Sequence, residues 1–133
     1  MDEDTRAFNR VMDAFRLPKA TGEQLREREV AVEEATKGAT RVPLEVLKKS
    51  VELLRLAKEA AKKGNKNSVS DAGVAGLAAQ AAADGAYYNI RINLPGIKDA
   101  AFKKATALEA EQYRKKAEQT AGEVRRLIRR ELK

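Results

Sequence analysis

Apolar residues return at intervals of three and four along most of the chain, the period of helices that bury one face. Phe8, Val11, Met12 and Phe15 set that rhythm over about Asp2 to Arg16. Leu17-Pro18 ends it, because the residue before a proline resists the α conformation. Thr21-Gly22-Glu23-Gln24 is a capping-box pattern that opens a second helix, to about Thr40. Pro43 fits the first turn of a third, whose Leu44, Leu47, Val51 and Leu54 form one stripe ending near Lys63 and Gly64. After the polar stretch Gly64 to Val69, Ser70 is expected to cap a fourth helix through about Leu94, stopped by Pro95-Gly96. Asp99 caps a fifth, with Tyr113, Ala117, Thr120, Val124, Leu127 and Ile128 as its apolar stripe. Tyr87 to Ile92 alternates briefly like a strand, but continuity with the preceding helix favours helix. The pattern predicts an all-α bundle of about five helices.

The fourth helix is unusual. From Ala72 to Ala86 most residues are Ala or Gly, so its backbone can approach a neighbour closely. The length, 133 residues with 43% apolar and 35% charged side chains, fits one domain with a genuine core, spanning residues 1–133. No run is long and apolar enough for a membrane span. Met1 is followed by three acidic residues rather than by a secretory signal, so the expected location is cytoplasmic. There is no cysteine and no histidine, which removes thiol nucleophiles, disulfides and the usual general base and metal ligand. No metal is expected, and proton transfer falls to carboxylates, lysine or tyrosine. The formal charge of +7 is uneven: residues 1–63 hold 14 basic and 12 acidic side chains, residues 64–133 hold 13 and 8.

Four places can carry chemistry. Asp4 lies four residues before Phe8 and seven before Val11, on the expected buried stripe, where desolvation raises a carboxylate toward the range useful for proton transfer. The alternative is an acidic first turn that complements the helix dipole. The loop Gly64 to Asp71 gathers polar groups at a helix start, an anion-binding arrangement or an ordinary capped connection. Asn89 and Asn93, one turn apart, either read a flat polar heterocycle or tie the helix end to a neighbour. The basic fifth helix is a surface for nucleic acid or an acidic tail, or a solvated face balanced by its glutamates. Aromatic interleaving is sparse there, which makes nucleic acid the weaker partner.

Asp2-Glu3-Asp4-Thr5-Arg6-Ala7-Phe8, Leu17-Pro18-Lys19, Val42-Pro43-Leu44, Gly64-Asn65 with Ser70-Asp71, and Gly85 through Leu94 resemble the formiminotetrahydrofolate cyclodeaminase family, which includes stand-alone methenyltetrahydrofolate cyclohydrolases. The resemblance runs in order along nearly the whole chain, to Asp99–Phe102. It implies a helical homodimer with a tetrahydrofolate derivative, polyglutamylated forms included, bound near the subunit interface, and no further cofactor. It places the catalytic acid at Asp4. It makes Asn65, Ser70, Asp71, Asn89 and Asn93 pocket candidates, with Lys66 and Arg91 toward the glutamate tail. Cyclodeamination is the first expectation and methenyl hydrolysis the second; a basic nucleic-acid-binding module and an inactive remnant are the alternatives from other classes. Family members usually begin with one or two further helices bearing a Pro-Thr-Pro-Gly-Gly-Gly-Ser-like segment. None occurs here, so the expectation is a domain lacking its opening helices.

Overall fold

The computed structural model describes residues 2–132, which form four α-helices and one short 3-10 turn. They are α1 (Glu3–Phe15), α2 (Gly22–Lys63), α3 (Lys66–Asn93) and α4 (Ala100–Glu131), with the turn Leu94–Gly96 between the last two. The all-α expectation holds. The helix count differs because the expected second and third helices are one.

That one helix, α2, runs through Pro43 for 42 residues. A proline inside a helix removes one N–H and crowds the carbonyl four residues back, here Ala39. The chain tolerates this because Pro43 is buried and begins the richest part of the core, Leu44, Leu47, Val51 and Leu54. The hydroxyls of Thr36 and Thr40 also donate back to the carbonyls of Val32 and Thr36, at 2.7 and 2.8 Å. Such bonds ease a helix into a bend around an interior proline. The capping box is present at Thr21 and Gln24, as its sequence pattern predicts.

Ser70 does not start α3. Asn65 does, its side-chain oxygen accepting from the N–H groups of Asn67 and Ser68 at 3.0 and 3.1 Å. An Asn cap at Asn65 closes the turn five residues earlier than a Ser70 cap would. At Gly64 a Cβ would lie 2.5 Å from Ser68 Oγ and 2.8 Å from the Ala60 carbonyl, so this tight return requires glycine.

α3 returns antiparallel to α2, and α4 antiparallel to α3, making a three-helix core against which α1 packs through α2. The core joins the α2 leucines to Ala79, Ala83, Ala86 and Ile90 of α3, and to Ala110, Ala117 and Ala121 of α4. The close approach expected of the alanine-rich helix occurs against α4, where a Cβ on Gly76 would come within 2.9 Å of Val124 Cγ1. The α3–α4 corner is fixed polar-side by α2. Glu33 accepts from the N–H groups of Lys98 and Asp99, and Lys37 pairs with Asp99 at 2.9 Å. Asp99 in turn caps α4 by accepting from Phe102 N–H, as expected.

Candidate functional site

α1 buries Ala7 and Ala14, with Val11 half-buried between them, while Phe8, Met12 and Phe15 face outward. This corrects the expected stripe. With Phe8 61% exposed, the buried line is Ala7, Val11, Ala14, and Asp4 is its N-terminal continuation by the same three-and-four spacing. Asp4 therefore points toward α2 and α3 but is exposed, not buried as the expected stripe would have it. Asp2, not Asp4, caps α1. Its carboxylate accepts from Thr5 N–H at 2.8 Å and is held below its ordinary range by the N–H and hydroxyl of Thr5.

Asp4 borders a cleft of about 420 Å³ between α1, α2 and α3, together with Thr5, Phe8, Val11, Ala39, Pro43, Asn89 and Asn93. Both candidate asparagines are thus brought to the candidate acid. They arrive there because they sit four residues apart on α3, on the flank that looks at α1. Asn93 also has a structural partner, donating its amide to the Ala39 carbonyl at 3.4 Å. Asn89 is exposed, and its amide is open to the cleft. Thr5 and Ala39 escaped the sequence reading. The only signal for Ala39 is its place four residues before Pro43.

The remaining candidates lie elsewhere. Asn65, Lys66, Ser70 and Asp71 stand at the opposite end of α3, and 24 residues at about 1.5 Å each separate Asn65 from Asn89 by about 36 Å. Asn65 is occupied as a cap, and the Ser70 hydroxyl donates to the Asn67 carbonyl at 3.4 Å. Asp71 is exposed and forms no hydrogen bond or ion pair among the described residues. Arg91 lies two residues from both Asn89 and Asn93, hence on the other side of α3. It borders a hollow of about 460 Å³ with Lys98, Lys103 and Lys104. Within one chain, then, Asp4, Asn89 and Asn93 converge, and the other five candidates do not join them.

Two other features have structural roles. The phenol of Tyr87 donates to Glu111 at 2.8 Å, and Arg114 pairs with Glu111 at 2.6 Å. Arg114, first, and Tyr87 hold the Glu111 carboxyl down at about 2, while the same hydrogen bond and burial push the Tyr87 phenol up. The hollow of about 220 Å³ between α3 and α4, lined by Val74, Leu77, Ile128 and Leu132 among others, presents an almost wholly apolar surface, although Ser70, Gln80, Arg125 and Arg129 also border it. Among the described residues no set of three or more His, Cys, Asp or Glu side chains is grouped to hold a metal ion. None of the described helices is long and apolar enough to cross a membrane.

The family model for formiminotransferase-cyclodeaminase matches residues 1–112, a span that contains every residue of the cleft. A methenyltetrahydrofolate cyclohydrolase from Methylorubrum extorquens is 42% identical over 109 residues, 82% of this chain and 52% of the relative. A formimidoyltransferase-cyclodeaminase from Gallus gallus is 36% identical over 128 residues, 96% of this chain and 24% of the relative. The crystal structure of formiminotetrahydrofolate cyclodeaminase from Thermotoga maritima matches with a TM-score of 0.81 and 28% identity, covering 96% of this chain and 59% of that one. The chain spans about half the length of the first of these relatives and about a quarter of the second.

Proposed function

The chain belongs to the formiminotransferase-cyclodeaminase family, and on that premise we propose that it acts in folate one-carbon chemistry as a cytoplasmic homodimer, closing 5-formiminotetrahydrofolate to 5,10-methenyltetrahydrofolate with release of ammonia. The observation that carries this reading is the convergence of Asp4, Asn89 and Asn93 on one cleft inside the family-matched span.

N10 of the substrate attacks the carbon of the protonated formimino group, and the resulting tetrahedral carbon carries N5, N10 and an amino group, whose C–N bond breaks as the N5 lone pair forms the methenyl C=N bond. Asp4 takes the proton that N10 must lose and gives it to that amino group, which leaves as ammonia. One carboxylate can serve both steps because the proton is removed and returned within the same turnover. In this reading the exposed amide of Asn89 holds the flat pterin edge, since it offers donor and acceptor together. Docking the heterocycle against Phe8 and Val11 excludes water from Asp4, supplying desolvation that the free chain lacks.

Methenyltetrahydrofolate hydrolysis is the second reading, favoured by the 42% identity to the Methylorubrum cyclohydrolase, above the 36% to the Gallus enzyme. There Asp4 deprotonates the attacking water. Mixing the protein with 5-formiminotetrahydrofolate separates the two. Growth of the methenyl absorbance with stoichiometric ammonia supports cyclodeamination. Decay of supplied methenyltetrahydrofolate, with no reaction of the formimino compound, assigns hydrolysis.

A further inference from the structure

Among the described residues four lysines are half-buried: Lys37, Lys48, Lys58 and Lys103. Three of them meet a carboxylate from another part of the bundle, Lys37 with Asp99, Lys48 with Glu109 and Lys58 with Glu123. Lys103 meets none, and among the described residues its ammonium has no hydrogen-bond or ion-pair partner. Asp99, one turn before it on the chain, is taken up by Lys37 and by the cap of α4. A charge that loses part of its hydration is costly to hold unless an opposite charge replaces the lost water. Lys103 is the place in this chain where that replacement is wanting.

Lys103 borders the hollow of about 460 Å³ at the corner between α3 and α4, together with Arg91, Lys98 and Lys104. The other residues around it are apolar, buried Leu94 and Pro95 among them. Residues 91–108 hold those four cations and one carboxylate, the occupied Asp99. Elsewhere on α4 a cation is balanced within a turn, as Arg114 is by Glu111 and Glu118. Here no such acid stands beside Lys103 and Lys104. Lys98 approaches Glu29 only at 4.0 Å, with both side chains largely exposed, a contact worth little.

We infer that this hollow binds a compact polyphosphate anion, a diphosphate or longer, with Lys103 as its anchoring cation. The chemistry of the lining selects that ligand. Every polar side chain around the hollow is a donor and none is an acceptor. The main-chain N–H groups of Lys98 and Asp99 are already used by Glu33, so the ligand must be held by side chains. A diphosphate offers only acceptors and concentrates its charge, which suits lysines acting as point charges and an arginine that can grip two oxygens. A tail of linked glutamates brings an amide N–H with each carboxylate, and those donors would find no side-chain acceptor here. That favours phosphate over the glutamate tail expected at Arg91. Arg91 lies on the other side of α3 from Asn89 and Asn93, so an anion here leaves the Asp4 cleft open, and the inference does not rest on the folate reading.

Calorimetric titration of the whole chain with inorganic pyrophosphate at constant ionic strength should show saturable binding, and pyrophosphate should raise the melting temperature. Lys103→Met keeps the length of the side chain and removes its charge. It should weaken the affinity about tenfold or more, the worth of one charge-assisted hydrogen bond, while Lys103→Arg stays within a few-fold of wild type. Lys104→Met, at an exposed position, should weaken binding several-fold and gives the same reading if Lys103→Met does not fold. Lys49→Met, an exposed lysine of α2, should bind as wild type does. Wild-type affinity in both Lys103→Met and Lys104→Met, equal weakening in Lys49→Met, or no saturation by pyrophosphate at millimolar concentration overturns the site. Tighter binding of tri-γ-glutamate than of pyrophosphate overturns the choice of phosphate. ADP supplies the source: affinity well above that of pyrophosphate assigns the phosphates to a nucleotide, and equal or lower affinity assigns free polyphosphate. None of these titrations uses a folate, so failure of this site and failure of the cyclodeaminase reading appear in different measurements.

Discussion

The side-chain amide of Asn93 donates to the main-chain carbonyl of Ala39 across 3.4 Å, and Ala39 is the residue whose helical donor Pro43 removes. Two features widely separated in sequence thus compensate each other. The proline leaves an acceptor free within α2, and the end of α3 supplies a donor to it. The bond also fixes one wall of the Asp4 cleft, which Ala39, Pro43 and Asn93 share.

Removing the donor should therefore destabilise the fold through Pro43. Asn93→Ala is expected to lower the stability by roughly 0.5–1.5 kcal/mol, the net worth of one hydrogen bond. Pro43→Ala restores an N–H to Ala39, so the loss should shrink in the Pro43→Ala background. A urea-denaturation double-mutant cycle measures the coupling, and strict additivity would show that the two positions are independent.

Asp4 is exposed and caps nothing, so its role is separable from folding. Asp4→Asn should leave the helical signal and melting curve in place while reducing turnover of the folate substrate by 10²-fold or more, the usual scale for a positioned acid-base group. Activity within a few-fold of wild type would move the chemistry to another group.

Glu111 makes part of the stability acid-sensitive. Its carboxyl titrates at about 2 in the folded chain, below its ordinary 4.5, because Arg114 and Tyr87 hydrogen-bond the charged form. A depressed pKa contributes stability that is fully present above about 4.5 and is lost as pH falls toward about 2. Glu111→Gln should flatten the stability–pH profile across that window and leave the slope near neutrality unchanged. Thermal melts at intervals between pH 5 and pH 2 provide the reading.

Gly76 marks a close approach of α3 to α4, where a Cβ would lie 2.9 Å from Val124 Cγ1. Gly76→Ala should cost about 1–3 kcal/mol from overpacking, despite alanine's better helix propensity. Shortening the opposing side chain with Val124→Ala should recover part of that loss in the double variant. By contrast, a Cβ at Gly85 meets only open space, so Gly85→Ala should gain a few tenths to 1 kcal/mol, as a helical Gly→Ala change does.

Much of the fold was legible along the chain because helix signals are local. The Thr21 capping box, the Asp99 cap, the stripe Leu44, Leu47, Val51, Leu54 and the stop at Pro95-Gly96 each depend on residues within one or two turns. The errors arose where a distant partner overrode a local rule. Pro43 reads as a helix start, yet it stays inside α2 once buried among the leucines, with Asn93 serving its orphaned acceptor. Phe8, Met12 and Phe15 read as a buried stripe because size and apolarity suggest it, yet α1 turns its alanines inward because only small side chains let it lie close against α2.

The sequence by itself determined the helical class and the absence of thiol and imidazole chemistry, since composition and periodicity need no neighbours, and it offered Asp4, Asn65, Lys66, Ser70, Asp71, Asn89, Arg91 and Asn93 as candidates without saying which belong together. Only the tertiary structure decided which of the candidates share a cleft. Helix α3 is rigid and about 42 Å long, so residues at its two ends cannot meet within one chain, however similar they look in sequence. Which face of each helix is buried depends on the volumes of the side chains opposite, and those are set by segments far away in the chain.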